Sequence, residues 1–112
     1  MNKKDNMINA VKMWAWNDGY FDAENTQTNA DLTFKKGDKQ TCFITDFDKT
    51  KAELLKTIKK VNAGYVYVVT DDNANRRKLI KFIPKHCGIL CYSNPFGFGY
   101  LYQVLKKPEL IA

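Results

Sequence analysis

Hydrophobic positions near the start of the chain recur every three or four residues. This spacing is typical of one face of a helix and predicts a helix over about residues 4–17. The residue Gly19 follows in "NDGY" and is of the type that ends a helix. The predicted buried face consists of Met7, Ile8, Val11, Trp14 and Ala15.

Two β-forming stretches, "ADLTF" and "QTCFIT", surround the turn signal "KKGDK" and predict a hairpin. If the turn is centred on Gly37 and Asp38, facing residues have numbers that add to about 75, and Asp31 lies opposite Ile44. A slip of one residue would turn Asp31 to the other face of the sheet. The short piece "YFDAE" before the hairpin is expected to be extended as well.

The second half of the chain alternates helices and strands. Thr50 and Glu53 have the spacing of a capping box and predict the start of a second helix. The run "YVYVVT" has no polar alternation, which is typical of a central strand that is covered on both faces. The buried face of the second helix is expected to consist of Leu54, Leu55, Ile58 and Val61.

A third helix is expected over about residues 74–83, with strands at 88–92 and 100–105. The predicted order αβββαβαββ indicates an α/β protein with a mixed sheet flanked by helices. Helices between strands usually make right-handed parallel crossovers, so strands 41–46, 65–70 and 88–92 are expected to be parallel. With 112 residues, the chain is expected to form one domain over 1–112.

Charge and composition narrow the classes of partner and location. Eighteen basic and twelve acidic residues give a net charge of +6, which favours polyanions such as nucleic acid, or acidic proteins. Asp5 and Asn6 interrupt a signal-peptide core, and no stretch approaches the roughly 20 apolar residues of a membrane span. We therefore expect a cytoplasmic protein without a membrane partner. The three cysteines are predicted to be small core residues.

Candidate chemistry is concentrated in "ITDFDKTKAEL", where Asp46 and Asp48 follow a predicted strand. Side chains two residues apart share a face of a strand, and the hairpin register puts Asp31 on that face too. Carboxylates in facing or diagonal positions lie roughly 5–8 Å apart. Such a pair can bind one hard divalent cation. Simpler roles remain open, because Asp48 suits the N-cap of the second helix, Asp46 a solvated strand end and Asp31 a strand start.

Basic side chains on the second and third helices predict contacts with phosphates, or else a solvated helix face. Phosphate contacts make binding depend on salt without reading sequence. In "NPFGFGY", Phe96 and Phe98 are candidates for stacking on bases, for contact with a protein or second copy of the chain, or for core packing. The single histidine, His86, is expected in a surface loop. The candidate nucleic-acid contacts are Lys56, Lys59, Lys60, Arg76, Arg77 and Lys78.

The stretch "NADLTFKKGDKQTCFITDFDKTKAELLKTIKKV" resembles the signature region of the PD-(D/E)XK nuclease superfamily. The later stretches "AGYVYVVTDD" and "IPKHCGILCYS" are similar to the strands of its small MmcB-like DNA-repair branch, so the resemblance covers most of the chain. It implies a restriction-endonuclease-like fold with a three-layer core. It also implies that Asp31 and Asp46 are the acidic pair that holds Mg²⁺ or Mn²⁺.

One position departs from the signature, because Asp48 stands where the superfamily has a lysine. That lysine is expected to stabilise charge on phosphorus, which an aspartate cannot do. Lys49 or Lys51 is a candidate replacement. Alternatively, Asp46 and Asp48 both bind metal, and a metal-bound hydroxide acts alone. In a third alternative the site is inactive.

Two functions are therefore expected from the resemblance. The first is a nuclease-like domain with a degenerate motif that binds DNA or a protein partner. Such a domain could be a phage or mobile-element inhibitor and would act in DNA repair or phage defence. The alternative is an active Mg²⁺- or Mn²⁺-dependent DNA endonuclease. Its catalytic residues would be Asp31, Asp46, Asp48, Lys49 and Lys51, with Asp31 and Asp46 as metal ligands.

Overall fold

Three helices and six strands make up the regular structure in the residues that the computed structural model describes, which are 3–17, 19, 21–22, 32–36, 39–46, 49–61, 64–70, 75–93 and 101–111. Along the chain these elements are α1 (Lys3–Asn17), β1 (Phe21–Asp22), β2 (Leu32–Lys36), β3 (Lys39–Thr45), α2 (Lys51–Lys60), β4 (Tyr65–Thr70), α3 (Asn75–Phe82), β5 (Gly88–Ser93) and β6 (Leu101–Lys106). No helix in these ranges is long and apolar enough to cross a bilayer.

The strands lie side by side in sequence order, from β1 at one edge to β6 at the other. The central strands β3, β4 and β5 are parallel, which confirms both predicted parallel pairs, and α2 and α3 are the connecting helices. The remaining neighbours, β1–β2, β2–β3 and β5–β6, are antiparallel. The chain is therefore α/β, with a mixed sheet flanked by helices, as expected.

The first strand is much shorter than the others. Three strands precede α2, as in the order αβββαβαββ, but β1 is only a two-residue piece paired with β2. Five strands of five or more residues make up the body of the sheet. The sequence after β1, "AENTQTNA", is rich in residue types that strands disfavour, which accounts for the short β1.

The hairpin of β2 and β3 has the predicted register. Leu32 lies opposite Phe43, and Lys36 lies opposite Lys39, so the described pairs are those that a turn at Gly37 and Asp38 requires. The two turn residues and Asp31 lie outside the described residues. Register therefore agrees with the prediction along the whole described length of β2.

The face of the sheet that packs on α1 is largely aromatic. Trp14 lies edge-on to Phe43 and Tyr67, with ring centroids 6.0 and 5.7 Å apart, and these two rings stack on each other at 5.4 Å. From α1, Val11 and Ala15 are buried as predicted. Large rings fill the space between one helix and a broad sheet, and their edge-to-face contacts stabilise this packing beyond the burial of apolar area.

The opposite face packs on α2 and α3 and is largely aliphatic. Strand residues such as Ile44 and Val68 contact Leu54 and Ile58 of α2 and Leu79 of α3. All three cysteines are free and buried, which confirms that they are core residues. With α1 on one face and two helices on the other, the protein has three layers.

Local signals set the helix ends as the sequence predicts. The Thr50 hydroxyl accepts a hydrogen bond from the Glu53 backbone N–H at 3.1 Å, so Thr50 is the N-cap of α2. At the end of α1 the Gly19 N–H donates to the Trp16 carbonyl at 3.2 Å, with a positive φ of 86°. The turn between β3 and α2 therefore has a fixed geometry on its helix side, next to the predicted site.

Candidate functional site

A cavity of about 150 Å³ lies between the end of β3, the start of α2 and the side of α3. Open α/β sheets bind ligands at the carboxyl ends of their parallel strands, and this cavity is at the carboxyl end of β3. Its walls are formed by Asp46, Lys49, Thr50, Lys51, Leu54, Lys78, Leu79 and Phe82.

Asp46 is the first residue after β3 and remains attached to the sheet. Its backbone N–H donates to the Val69 carbonyl of β4 at 3.0 Å. Ile44 packs on the α2 and α3 side, and Asp46 lines the cavity together with Leu54 and Leu79 of that same side. Ile44 and Asp46 therefore share a face, as predicted from strand alternation.

Lys49 folds back onto the end of β3. Its Nζ donates to the Thr45 carbonyl oxygen at 2.7 Å and lies 3.4 Å from the Thr45 hydroxyl. Its backbone N–H donates to the Asp46 carbonyl at 3.2 Å, which closes the turn. The ammonium group is therefore held against the last residue of β3, and both Lys49 and Asp46 line the cavity.

Two further lysines come from the helices. Lys51 is in the first turn of α2, and its Nζ lies 4.9 Å from the centroid of the Phe82 ring, which is a cation–π contact. Lys78 is an exposed residue of α3. The turn after β3, α2 and α3 each contribute one lysine to the cavity lining, which also includes the buried Leu54 and Leu79.

The charges of the lining residues suit an anion. Three lysines stand against one aspartate among the described residues of the cavity. A divalent cation takes several oxygen ligands, so this donor set alone does not fit Mg²⁺ or Mn²⁺. Across the described ranges, no three His, Cys, Asp or Glu side chains are grouped to hold a metal. The predicted metal pair requires Asp31, and Asp31 and Asp48 both lie outside the described residues.

The other predicted nucleic-acid contacts do not line the cavity. Lys56, Lys59 and Lys60 are exposed on α2, farther along the helix. Arg76 and Arg77 belong to α3, but their side chains are outside the described part of the structure. The two predicted aromatics of the 94–100 stretch, Phe96 and Phe98, are outside it as well.

His86 differs in part from the expectation of a surface loop. It lies in the turn before β5, but its side chain is half-buried, and its buried Nε2 has no hydrogen-bond partner among the described residues. Its backbone carbonyl accepts from the Glu109 N–H at 2.8 Å. His86 is not among the residues that line the cavity.

The place of Lys78 was not predicted from the sequence. It was a candidate phosphate contact, but nothing in its local pattern links it to Asp46. The connection comes from the β3-α2-β4-α3 order, because both helices follow parallel strands and start at the same edge of the sheet. The signal in the sequence is the pair of successive strand–helix–strand crossovers, which predicts that α2 and α3 start at the same edge of the sheet. The roles of Leu79 and Phe82 as cavity walls were missed for the same reason.

Comparison with protein-family models, with curated proteins and with solved structures found no match for this chain. The chemistry of the site is therefore inferred from the residues that line it. Three lysines from three segments line the cavity together with Leu54 and Leu79, and Asp46 is the one acidic residue among the described lining residues. Lysine ammonium groups bind phosphate oxygens as compact point charges, so this arrangement can hold a phosphate group.

Proposed function

We propose that this chain is a nuclease-like domain with a degenerate motif and that it binds nucleic acid, with DNA as the first candidate, at the carboxyl end of β3. One observation carries the proposal. Asp46, Lys49 and Lys51, which the resemblance marks as site residues, line one cavity with Lys78, a predicted phosphate contact. The net charge of +6 favours the same class of partner.

The architecture supports the nuclease-like part of the proposal. The resemblance implies a helix, strands, a helix and a further strand in a three-layer core, and the described elements follow this sequence with helices on both faces. Lys49 is the better candidate for the missing signature lysine. Its Nζ is bonded to the end of β3 beside Asp46, whereas the Lys51 Nζ lies over Phe82.

Exposed lysines extend the positive surface away from the cavity. Lys56, Lys59 and Lys60 follow Lys51 along α2, over a helix of ten residues that rises about 15 Å. These three lysines lie within about 100° of one another on the exposed side of α2, so this side of the helix can contact phosphates, and each neutralised phosphate releases counterions. In this proposal the cavity fixes one phosphate while α2 follows the backbone.

Fluorescence anisotropy with a labelled DNA oligonucleotide tests this function across a range of salt. The charge reversals Lys56→Glu and Lys59→Glu should weaken binding, and each should lower the slope of log K against log salt by about 0.9 because one phosphate is no longer neutralised. Lys107→Glu, which reverses an exposed lysine after β6, is the matched control and should change the slope little. If binding does not depend on salt and neither reversal changes it, nucleic acid is not the partner. A protein partner, such as a phage or mobile-element inhibitor would bind, would then take its place in the proposal.

A second candidate is an active Mg²⁺- or Mn²⁺-dependent DNA endonuclease that uses Asp31 and Asp46. The observation that favours it is that the Lys49 ammonium is held at the end of β3, in a cavity that Asp46 also lines. Plasmid and single-stranded DNA incubated with Mn²⁺ would be cleaved by the wild type and not by Asp46→Ala. Equal background cleavage by both would remove this candidate. Cleavage that appears only in Asp48→Lys would show that the motif is degenerate.

A further inference from the structure

We propose that the cavity binds a terminal phosphate group, the phosphomonoester at one end of a nucleic-acid strand, directly through lysine ammonium groups and without a divalent metal. The inference deepens the proposed function and rests on it. It names the part of the nucleic acid that enters the cavity. The observations that carry it are the small size of the cavity, the three chain segments that line it and the charges of the lining residues.

The size of the cavity limits what can enter. At about 150 Å³ it is well below the roughly 300–1,000 Å³ of pockets that hold whole small molecules. A single phosphate group fits this volume, whereas the attached sugar and base would remain outside. A cavity of this size therefore recognises one compact group at the end of a ligand.

Three segments of the chain line the cavity, which is partly open to solvent. The turn after β3 provides Asp46 and Lys49, the first turns of α2 provide Lys51 and Leu54, and α3 provides Lys78 on the facing side. An internal phosphodiester continues into sugar on two sides and needs an open groove. A terminal phosphate has only one attachment, so it can enter a small space between three segments while its sugar stays outside.

The lining charges match a dianion better than a monoanion. A phosphomonoester carries about −1.5 to −2 at pH 7, whereas a phosphodiester carries about −1. Three ammonium groups and one carboxylate line the cavity among the described residues. Electrostatic attraction scales with the charge of the ligand, so the monoester gains about twice as much from the same lysines. Lys49 is already oriented by its bond to the Thr45 carbonyl, which limits the ordering that binding requires.

Three oligonucleotides of one sequence test the inference, with a phosphate at the 5′ end, at the 3′ end, or at neither end. Each carries an internal fluorophore, and binding is measured by anisotropy in EDTA so that no divalent metal takes part. One of the two phosphorylated strands should bind about tenfold more tightly than the strand with two hydroxyl ends. The arm that shows the preference identifies which end enters the cavity.

Variants separate the cavity from the general basic surface. For Lys51→Gln and Lys78→Gln, the preferred phosphorylated strand should bind only about as tightly as the strand with two hydroxyl ends, so the ratio of these two affinities should be close to one. Lys59→Gln removes an exposed lysine from the same helix outside the cavity, and it should weaken binding of all three strands while it keeps their ratio. Thermal unfolding of each variant checks that the fold is intact.

The outcomes distinguish the inference from the proposed function. Equal affinity of the wild type for all three strands would overturn the inference while leaving nucleic-acid binding in place. An unchanged ratio in folded Lys51→Gln and Lys78→Gln would overturn it as well, as would a preference that appears only when Mg²⁺ replaces EDTA. If no strand binds but a nucleoside monophosphate does, in a way that Lys78→Gln abolishes, the phosphate site stands and the proposed function fails.

Discussion

The two ends of the parallel strands are built differently, although β3, β4 and β5 reach both. At the amino end, residues 107–111 run across the sheet, where the Ile111 N–H donates to Gly64 and the Glu109 N–H donates to His86, each at 2.8 Å. At the carboxyl end, the described residues leave a cavity lined by lysines and Asp46. Backbone bonds and apolar contacts stabilise the first end. The cavity at the second end is lined by charged side chains, which the proposed function assigns to binding.

Close backbone approach at the amino end depends on glycine. Gly64 has a positive φ of 80°, and a Cβ there would overlap the carbonyl oxygen of Gln40. At Gly88 a Cβ would lie 2.8 Å from the backbone nitrogen of Pro108 and 2.9 Å from the Lys106 carbonyl oxygen. Substitutions at the amino end should therefore reduce stability, whereas most substitutions at the carboxyl end should reduce binding.

The largest effect is expected for Gly64→Ala. An alanine there combines a disfavoured left-handed conformation with a clash against the Gln40 backbone, so the free energy of unfolding should fall by about 3 kcal/mol in urea titrations. Gly19→Ala is the matched control, because Gly19 also has a positive φ but is exposed at the end of α1, and it should cost about 1 kcal/mol. Equal losses would mean that the close approach to Gln40 is unimportant.

A smaller loss is expected for Ile111→Ala. Ile111 is partly buried against the aliphatic core, so truncation should lower the free energy of unfolding by about 1.5 kcal/mol. Lys78→Ala, at the other end, should change it by less than about 0.5 kcal/mol because Lys78 is exposed. A larger loss of unfolding free energy in Lys78→Ala than in Ile111→Ala would contradict the assignment of stability to the amino end and of binding to the carboxyl end.

Thr50→Ala should cost about 1 kcal/mol of unfolding free energy, because it removes the hydroxyl that caps α2. Thr50 also lines the cavity, so it tests whether one residue at the carboxyl end has a structural role. Thr50→Ser keeps the hydroxyl and should retain most of the stability. If Thr50→Ser is as unstable as Thr50→Ala, the cap contributes nothing measurable.

The smallest effect concerns Cys87, next to β5 at the amino end. Burial raises the pKa of the Cys87 thiol from 9.0 to about 11, while the nearby Lys106 ammonium acts in the opposite direction. The folded state keeps this proton above pH 9.0 and the unfolded state releases it, so stability should fall with pH between 9.0 and about 11.

Urea titrations at pH 8 and pH 9.5 measure this dependence. The wild type should lose about 0.8 kcal/mol more than Cys87→Ala over this interval, because only the wild type carries the thiol. Using the difference between the two proteins removes the titration of lysines and tyrosines that both share. The same pH dependence in both proteins would contradict the burial of the thiol.

Much of the fold could be predicted from local signals. The hairpin register followed from "KKGDK" between two β-forming stretches, and the central position of β4 from its uninterrupted apolar run. The length of β1 was not predictable in this way, because strand length also depends on the residues that follow and on the pairing they allow.

The candidate site could be predicted only in part. Asp46, Lys49 and Lys51 stand out because they are close in sequence and follow a strand. Lys78 and Phe82 reach the same cavity through the packing of α3 beside α2, which no periodicity within α3 encodes. The surroundings of His86 also involve a distant residue, since its backbone carbonyl accepts a hydrogen bond from the Glu109 N–H.

A matched pair of charge reversals tests the central claim most directly. Lys51→Glu with Lys78→Glu alters the carboxyl end, and Lys39→Glu with Lys107→Glu alters exposed lysines near the amino end by the same net charge. Binding of a DNA oligonucleotide at low salt should weaken about thirtyfold in the first protein and about threefold in the second. Equal losses in the two proteins, or a larger loss in the second, would contradict a binding site at the carboxyl end of β3.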